Sequence, residues 1–482
     1  TDSLCTCVYC CSAFTGSSVN YTFISGITNS NSAGATFNTF DTLVGGDGTD
    51  TLVATSALLA GVTYTNISGF EALTVSDALG GNLTTENIQA GINTVNLAAA
   101  LANDRTITMG AGSKTIAVNL ATAAGAQTLT VTDTGTATTD SLAITNGTAA
   151  ANVFAAADNL AVNGYETVTI NTSTTTAAAA TQTLGTITVT PDTGGTATIN
   201  FSGNNSVSTG IITATSAAAG VVNASGLTGT RTFTNVGATV GITSITGSAN
   251  SDTIVGSATA TTIDGGAGND NITGGAAADS IVGGLGNDVI TAGGGNDTVS
   301  GGAGNDTITQ GAAGTTTSID GGEGNDSIVL TGMIASGQII AGGNGTDTLT
   351  IGTADVTTIN ALSFTNANAL NTNITSIERL NIADALGATL DMSRVDGINY
   401  VVTSANANTF TFNVSSANSA TRTKKGKSTL INFLLETGKT DNEAATGFGA
   451  GPYGSGVYGS GSSGSLSSNM RLWSFDNWGE DL

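Results

Sequence analysis

Between residues 265 and 329 an aspartate recurs at the sixth place of a nonapeptide, in "GGAGNDNIT" from Gly265, "GGLGNDVIT" from Gly283, "GGAGNDTIT" from Gly301 and "GGEGNDSIV" from Gly321. Glycine lets a backbone turn through positive φ and brings carbonyl oxygens close to a ligand. Carboxylates and carbonyls from stacked turns can supply the roughly six to eight oxygens that Ca²⁺ accepts, whereas Mg²⁺ demands a stricter octahedron. The chain has no His to offer a nitrogen donor. The strongest candidate ligands are therefore Gly265, Gly266, Gly268 and Asp270; Gly283, Gly284, Gly286 and Asp288; Gly301, Gly302, Gly304 and Asp306; and Gly321, Gly322, Gly324 and Asp326. A weaker set is Gly293, Gly295 and Asp297 of "AGGGNDTVS", together with Asp279 of "GGAAADSIV", where Ala276 to Ala278 replace the central x-G-x.

The elements that must position these groups follow from the spacing. A six-residue turn leaves a strand of about three residues in which the apolar eighth position points inward and its polar neighbours outward. Two nonapeptides then make one circuit, and each turn stacks on the turn two repeats later. Seven nonapeptides run without a gap from Gly247 to Thr309, and the spacer "QGAAGTTTSID" separates them from an eighth at Gly321. In that register the turns of Asp270, Asp288, Asp306 and Asp326 share one edge. Three cation sites are expected there, between successive members, and a poorer one on the opposite edge between Asp279 and Asp297. Two further units, "GGDGTDTLV" at 45–53 and "GGNGTDTLT" at 342–350, keep the pattern but have no neighbour at two-repeat spacing. Asp47, Asp50 and Asp347 there are read either as capping a cation site or as belonging to a plain turn into a strand.

Outside the repeat block, alternating runs such as "TLTVT" (128–132), "ETVTI" (166–170) and "TFTFNV" (409–414) read as strands between Gly, Asn and Asp turns. The one helix signal is "STLINFLLE" (428–436), with Ser428 as N-cap. The words G-T-D-T-L, E-x-L, D-A-L-G and G-I-N recur in the same order after residues 45 and 342, marking two related modules. The expected fold is all-β: a parallel β-roll or β-solenoid at 247–330, flanked by Thr/Ala-rich β modules of solenoid or sandwich type. The expected division is a Cys-rich leader at 1–19 outside the fold, N-terminal β modules at 20–246, the repeat block, a C-terminal module at 331–420, and a helix with a Gly/Ser-rich tail at 421–482, which is a candidate secretion signal.

Several chemistries are excluded or disfavoured. The chain carries 35 acidic and 11 basic residues, for a net charge of −24, and so acidic a body repels a phosphate backbone. No run of about 18 apolar residues offers a membrane span, and "TDSLCTCVYCCSAF" lacks the basic region of a removable signal. The four cysteines, Cys5, Cys7, Cys10 and Cys11, have no second cluster or His to complete a thiophilic site. "KKGKSTLINFLLE" imitates a phosphate loop, but Thr421 stands where the first glycine is needed. Without His or G-x-S-x-G, the usual nucleophile and base pairs are missing. Glu71, Glu166 and Glu378 each open a strand in the same way, which suggests a structural or calcium role, and no enzyme activity is expected.

The nonapeptides resemble the calcium-binding repeats-in-toxin (RTX) family, whose units form a parallel β-roll with calcium in the turns. Residues 20–420 as a whole resemble bacterial S-layer and related cell-surface proteins that combine Thr/Ala/Asn-rich β modules, "GGxGTDTL" units and RTX blocks. That resemblance implies a calcium-folded structural protein that self-assembles with copies of itself on the cell exterior and leaves by type I secretion. Cell-surface polysaccharide is a further candidate partner, and nucleic acid is not. The ending "LWSFDNWGEDL" departs from the family's C-terminal signal. A secreted RTX adhesin or ligand-binding protein is the alternative.

Overall fold

The computed structural model describes residues 3–6, 13–15, 20–24, 42–118, 127–146, 158–173, 181–215, 219–230, 232–235, 239–311, 318–331, 338–352, 374–383, 400–403, 422–425 and 430–433. The strand-like run at 409–414, the Gly/Ser-rich stretch at 447–468, and Cys7, Cys10 and Cys11 lie outside them.

The chain coils so that each strand pairs with the strand one circuit later. Among the described residues, one sheet of 17 strands runs from Ser3–Thr6 to Ile374–Thr375. It is backed first by a six-stranded sheet (Leu83–Thr84 to Ile212–Ala214) and then by a thirteen-stranded sheet that begins at Gln182–Leu184. From Ser3 to Lys425 the described pairings are parallel, because the strand on the opposite sheet serves as the crossover that parallel neighbours need. The described residues from Ser3 to Thr403 form a β-solenoid, and the described parts of the flanking modules take the solenoid form rather than the sandwich.

Circuit length varies while register does not. Ser280 pairs with Thr298, a step of 18 residues, whereas Lys114 pairs with Leu142 and Thr167 with Thr198. The extra residues leave as loops, since a slip of one residue would turn the inward set outward. In the repeat block the inward set is one large apolar residue per strand, joined in Val289–Gly293 by Ala292. Ile263, Ile281, Val299, Ile319 and Ile340 of the long sheet, and Ile254, Ile272, Ile290, Ile308, Ile328 and Leu349 of the thirteen-stranded sheet, are each at most 2% exposed. Burial of each contributes about 1.5–3 kcal/mol, so this core is thin and its turns must hold much of the register. The N-terminal half is thicker: Tyr165, Phe201 and Phe233 are fully buried, and the two phenylalanine rings lie 5.3 Å apart.

Three expectations change. Ser3–Thr6 and Ala13–Thr15, expected to lie outside the fold, pair in parallel with Tyr21–Ile24 and Thr42–Val44, because an open solenoid end accepts any short β-forming run in register. Within the expected helix, Leu430–Phe433 is a strand, antiparallel to Arg422–Lys425, the pairing to an open strand outweighing the N-cap signal. Pairing also continues across both ends of the repeat block, from Ser244–Thr246 to Thr262–Asp264 and from Ser327–Val329 to Thr348–Thr350. Positions 246 and 330 therefore mark a change of repeat within one continuous stack.

Candidate metal centre

The aspartates of the main edge form a single row. The backbone N–H groups of Asp252, Asp270, Asp288 and Asp306 each donate to Oδ1 of the aspartate one circuit later, at 2.7–2.8 Å. Asp326 N–H donates in turn to Asp347, and Asp347 N–H to Oε2 of Glu378. The structure thus brings Asp270, Asp288, Asp306 and Asp326 together as expected and lengthens the row. Asp347, read as lacking a stacked neighbour, sits on Asp326, because a second spacer at 330–341 returns the chain to the same edge just as the first does.

One oxygen of each carboxylate is thereby used, and the other is stranded. Oδ2 of Asp270, Asp288, Asp306, Asp326 and Asp347 is buried with no hydrogen-bond partner, in residues at most 2% exposed. A buried anionic oxygen without compensation is costly, and removing its partner from a buried charge typically costs several kcal/mol. Asp252 differs: the backbone N–H and hydroxyl of Ser248, which replaces the second glycine, both donate to its carboxylate. The row therefore starts on a self-satisfied turn.

The three glycines have separate tasks. The first leaves room, since a Cβ on Gly265 would lie 2.5 Å from both Asp270 Oδ2 and the carbonyl oxygen of Gly283. A small cradle thus exists where a carboxylate oxygen and the next circuit's carbonyl converge, and it recurs at Gly283, Gly301 and Gly321. The glycines at the second and fourth positions need left-handed backbone: φ is +102° at Gly266 and +111° at Gly302, and +116° at Gly268 and +132° at Gly304. Among the described residues no three carboxylates converge. A cation here would take most of its oxygens from the backbone, which matches the donor preference of a hard divalent ion.

The asparagine before each aspartate, not singled out from the sequence, runs a second ladder in the opposite direction. Asn269, Asn287, Asn305 and Asn325 each accept, through Oδ1, the N–H of the fifth residue one circuit later, at 2.6–2.8 Å. Its invariance across "GGAGNDNIT" to "GGEGNDSIV" was the available signal.

Electrostatics follow from the stacking. Burial, with added repulsion from Asp252, Asp288 and Asp264, raises Asp270 from 3.8 to about 7. Burial and the carboxylates of Asp288 and Asp326 raise Asp306 to about 6. Asp288, Asp326 and Asp347 also rise, mainly through burial.

The family model of the RTX calcium-binding nonapeptide repeat (4 copies) matches residues 38–56, 246–281 and 273–308. The repeat block is therefore an RTX block. RTX nonapeptides are calcium-binding motifs, and their presence points to an extracellular protein. No curated protein and no solved structure matches the chain.

The opposite RTX edge is shorter. Thr261 N–H donates to Asp279 and Asp279 N–H to Asp297, at 2.7 and 2.9 Å, and Oδ2 of both aspartates is again buried without a partner. Gly293 and Gly295 keep φ of +105° and +114°, while φ at Gly275 opens to +158° where Ala276 to Ala278 replace the usual turn. The early unit, also within the RTX match, has the same turn, with φ of +107° at Gly46 and +126° at Gly48. Asp50 there is buried, Asp47 is exposed, and Asp50 N–H donates to Oε2 of Glu71. Glu71, Glu166 and Glu378 thus share one role: each accepts the N–H of the aspartate one circuit before it, Asp50, Asp140 and Asp347.

Proposed function

We propose that the RTX block binds Ca²⁺ along the Asp270–Asp326 edge, continuing to Asp347, with a poorer site at Asp279 and Asp297. The observation that carries this reading is the row of buried, unpartnered Oδ2 atoms, each facing a carbonyl of the next circuit. Calcium would neutralise them, and folding of the block would be coupled to binding. Affinities typical of extracellular modules, roughly 10⁻⁴–10⁻³ M, would leave the block unfolded in a cytosol and fold it outside.

On this basis we infer a calcium-dependent structural protein of a bacterial surface layer that assembles with copies of itself. Supporting features are the continuous solenoid, the acidic surface that cations can bridge, and outward apolar side chains such as Leu285 (62% exposed) and Val289 (49%) on an otherwise Thr/Ser/Asn-covered block. Among the described residues no helix is long and apolar enough to cross a membrane. Negative-stain microscopy with and without calcium tests the reading. Sheets that dissolve in a chelator are expected. Monodisperse particles at millimolar calcium would instead favour a secreted RTX adhesin.

A further inference from the structure

Outside the RTX match, three side chains of the N-terminal half share the same unresolved chemistry. Both carboxylate oxygens of Asp133, Oδ2 of Asp140 and the hydroxyl of Tyr165 are buried without a hydrogen-bond partner. The residues are 7%, 5% and 0% exposed. They converge. The position a Cβ on Gly135 would take lies 2.7 Å from Asp133 Oδ2 and 3.2 Å from Asp140 Oδ2, with the Ala111 methyl beside it at 2.8 Å. Tyr165, one circuit later, is bracketed by Gly164, where an added Cβ would lie 3.0 Å from Asp133 Cβ, and by Glu166, whose N–H donates to the Asp140 carbonyl at 3.0 Å; burial, with the charge of both carboxylates, raises its hydroxyl's pKa. That hydroxyl stays neutral, with lone pairs to offer.

The sequence around this point is a worn repeat. Gly135 stands five residues before Asp140, as Gly265 stands before Asp270, and Leu142 follows Asp140 as Ile272 follows Asp270. Asp140 N–H donates to Glu166 at 3.0 Å, as Asp347 N–H donates to Glu378. Glu166 is fully engaged, its other oxygen accepting Asp192 N–H at 2.9 Å, so it does not serve the cluster. What the turn lacks in glycines it replaces with a second carboxylate, Asp133. Burial raises Asp133 to about 6, Asp140 adding to the rise and the nearby amides of Gly135 and Thr134 opposing it. Two facing buried carboxylates need either a shared proton or a cation between them.

We propose that Asp133, Asp140 and Tyr165 form a binding site for a hard divalent cation, Ca²⁺ in the first instance, where the two carboxylates meet beside Gly135. Two carboxylates and a hydroxyl are all-oxygen donors, the set such an ion selects. The site stands apart from the RTX row and does not depend on that row binding calcium.

Terbium(III), a calcium substitute whose emission is sensitised by an adjacent tyrosine, tests this on the full chain. Residues 247–350 contain no Tyr or Trp, and Tyr400 stands two strands beyond Thr348, so the Asp270–Asp326 sites have no adjacent sensitiser and the carboxylate variants below identify the source of the signal. The wild type should show tyrosine-sensitised emission that Ca²⁺ displaces. Asp133→Asn/Asp140→Asn should lose it with an unchanged circular dichroism spectrum, and should bind one calcium fewer per chain in equilibrium dialysis. Tyr165→Phe, which leaves both carboxylates in place, should lose the emission and keep most of the calcium. Absence of emission in the wild type, as a shared proton would give, overturns the proposal. So does emission that survives in both variants.

Discussion

Asp306→Asn separates a carboxylate row that needs a cation from one that serves only as a hydrogen-bond ladder. The amide keeps Oδ1, which accepts Asp288 N–H at 2.8 Å, and removes one buried charge. Without calcium, the wild-type carboxylate is raised from 3.8 to about 6 by burial and by Asp288 and Asp326. That shift of about two units corresponds to at most ~3 kcal/mol of destabilisation at neutral pH. The amide avoids this, but its NH₂ occupies the place of an unpartnered oxygen, so a net gain of about 1–2 kcal/mol is expected in chelator. With calcium the sign reverses: the cation loses its charged ligand at this level, and the block should lose about 3 kcal/mol. Whole-chain melting would blur the effect, since solenoids unfold in segments. The assay is hydrogen exchange of peptides spanning Thr298–Val329, in chelator and in millimolar calcium. Stabilisation in one condition and destabilisation in the other supports the reasoning; the same sign in both refutes it.

Three further outcomes follow from the same geometry. Gly301→Ala places a Cβ against Asp306 Oδ2 and the Gly321 carbonyl, so calcium-induced ordering, followed by far-UV circular dichroism, should need at least tenfold more calcium, a loss of about 1.4 kcal/mol or more. Asn305→Ala removes the acceptor of Asn325 N–H and should cost about 1–2 kcal/mol with or without calcium, read as faster exchange of that amide. The pH dependence should invert with calcium. Because Asp270 and Asp306 are raised to about 7 and about 6, the calcium-free fold holds more protons than the unfolded chain between about pH 4 and 7, and loses stability as pH rises through that window. Calcium requires the charged forms, so its affinity, titrated by circular dichroism, should weaken as pH falls below about 6; affinity unchanged between pH 8 and 5 would contradict this.

The repeat register was legible because each nonapeptide carries its own phase: one apolar residue per strand and one aspartate per turn fix which circuits stack. Asp347 was legible as capping a cation site or as a plain turn, but its place on Asp326 was not, because the two spacers differ in length and sequence periodicity is lost at an insertion while the stack is not. The asparagine ladder was legible only as repetition, since Asn also favours turns for local reasons. Glu71, Glu166 and Glu378 were recognised as equivalent, but their task, accepting an N–H from the preceding circuit, needs the partner strand to be known. Asp133 and Asp140 escaped notice because a turn with one glycine and no Asn-Asp pair has no signature. The leader and the 430–433 strand were misread for one reason: short β-competent runs declare themselves only when an open strand edge is beside them.

The central claim is that the stranded Oδ2 oxygens hold calcium, and anomalous scattering from crystals grown in calcium tests it most directly. Anomalous peaks are expected at Asp270, Asp288, Asp306 and Asp326, each roughly 2.3–2.6 Å from Oδ2 and from a carbonyl of the adjoining circuit. A well-ordered row with no peaks at millimolar calcium would contradict it.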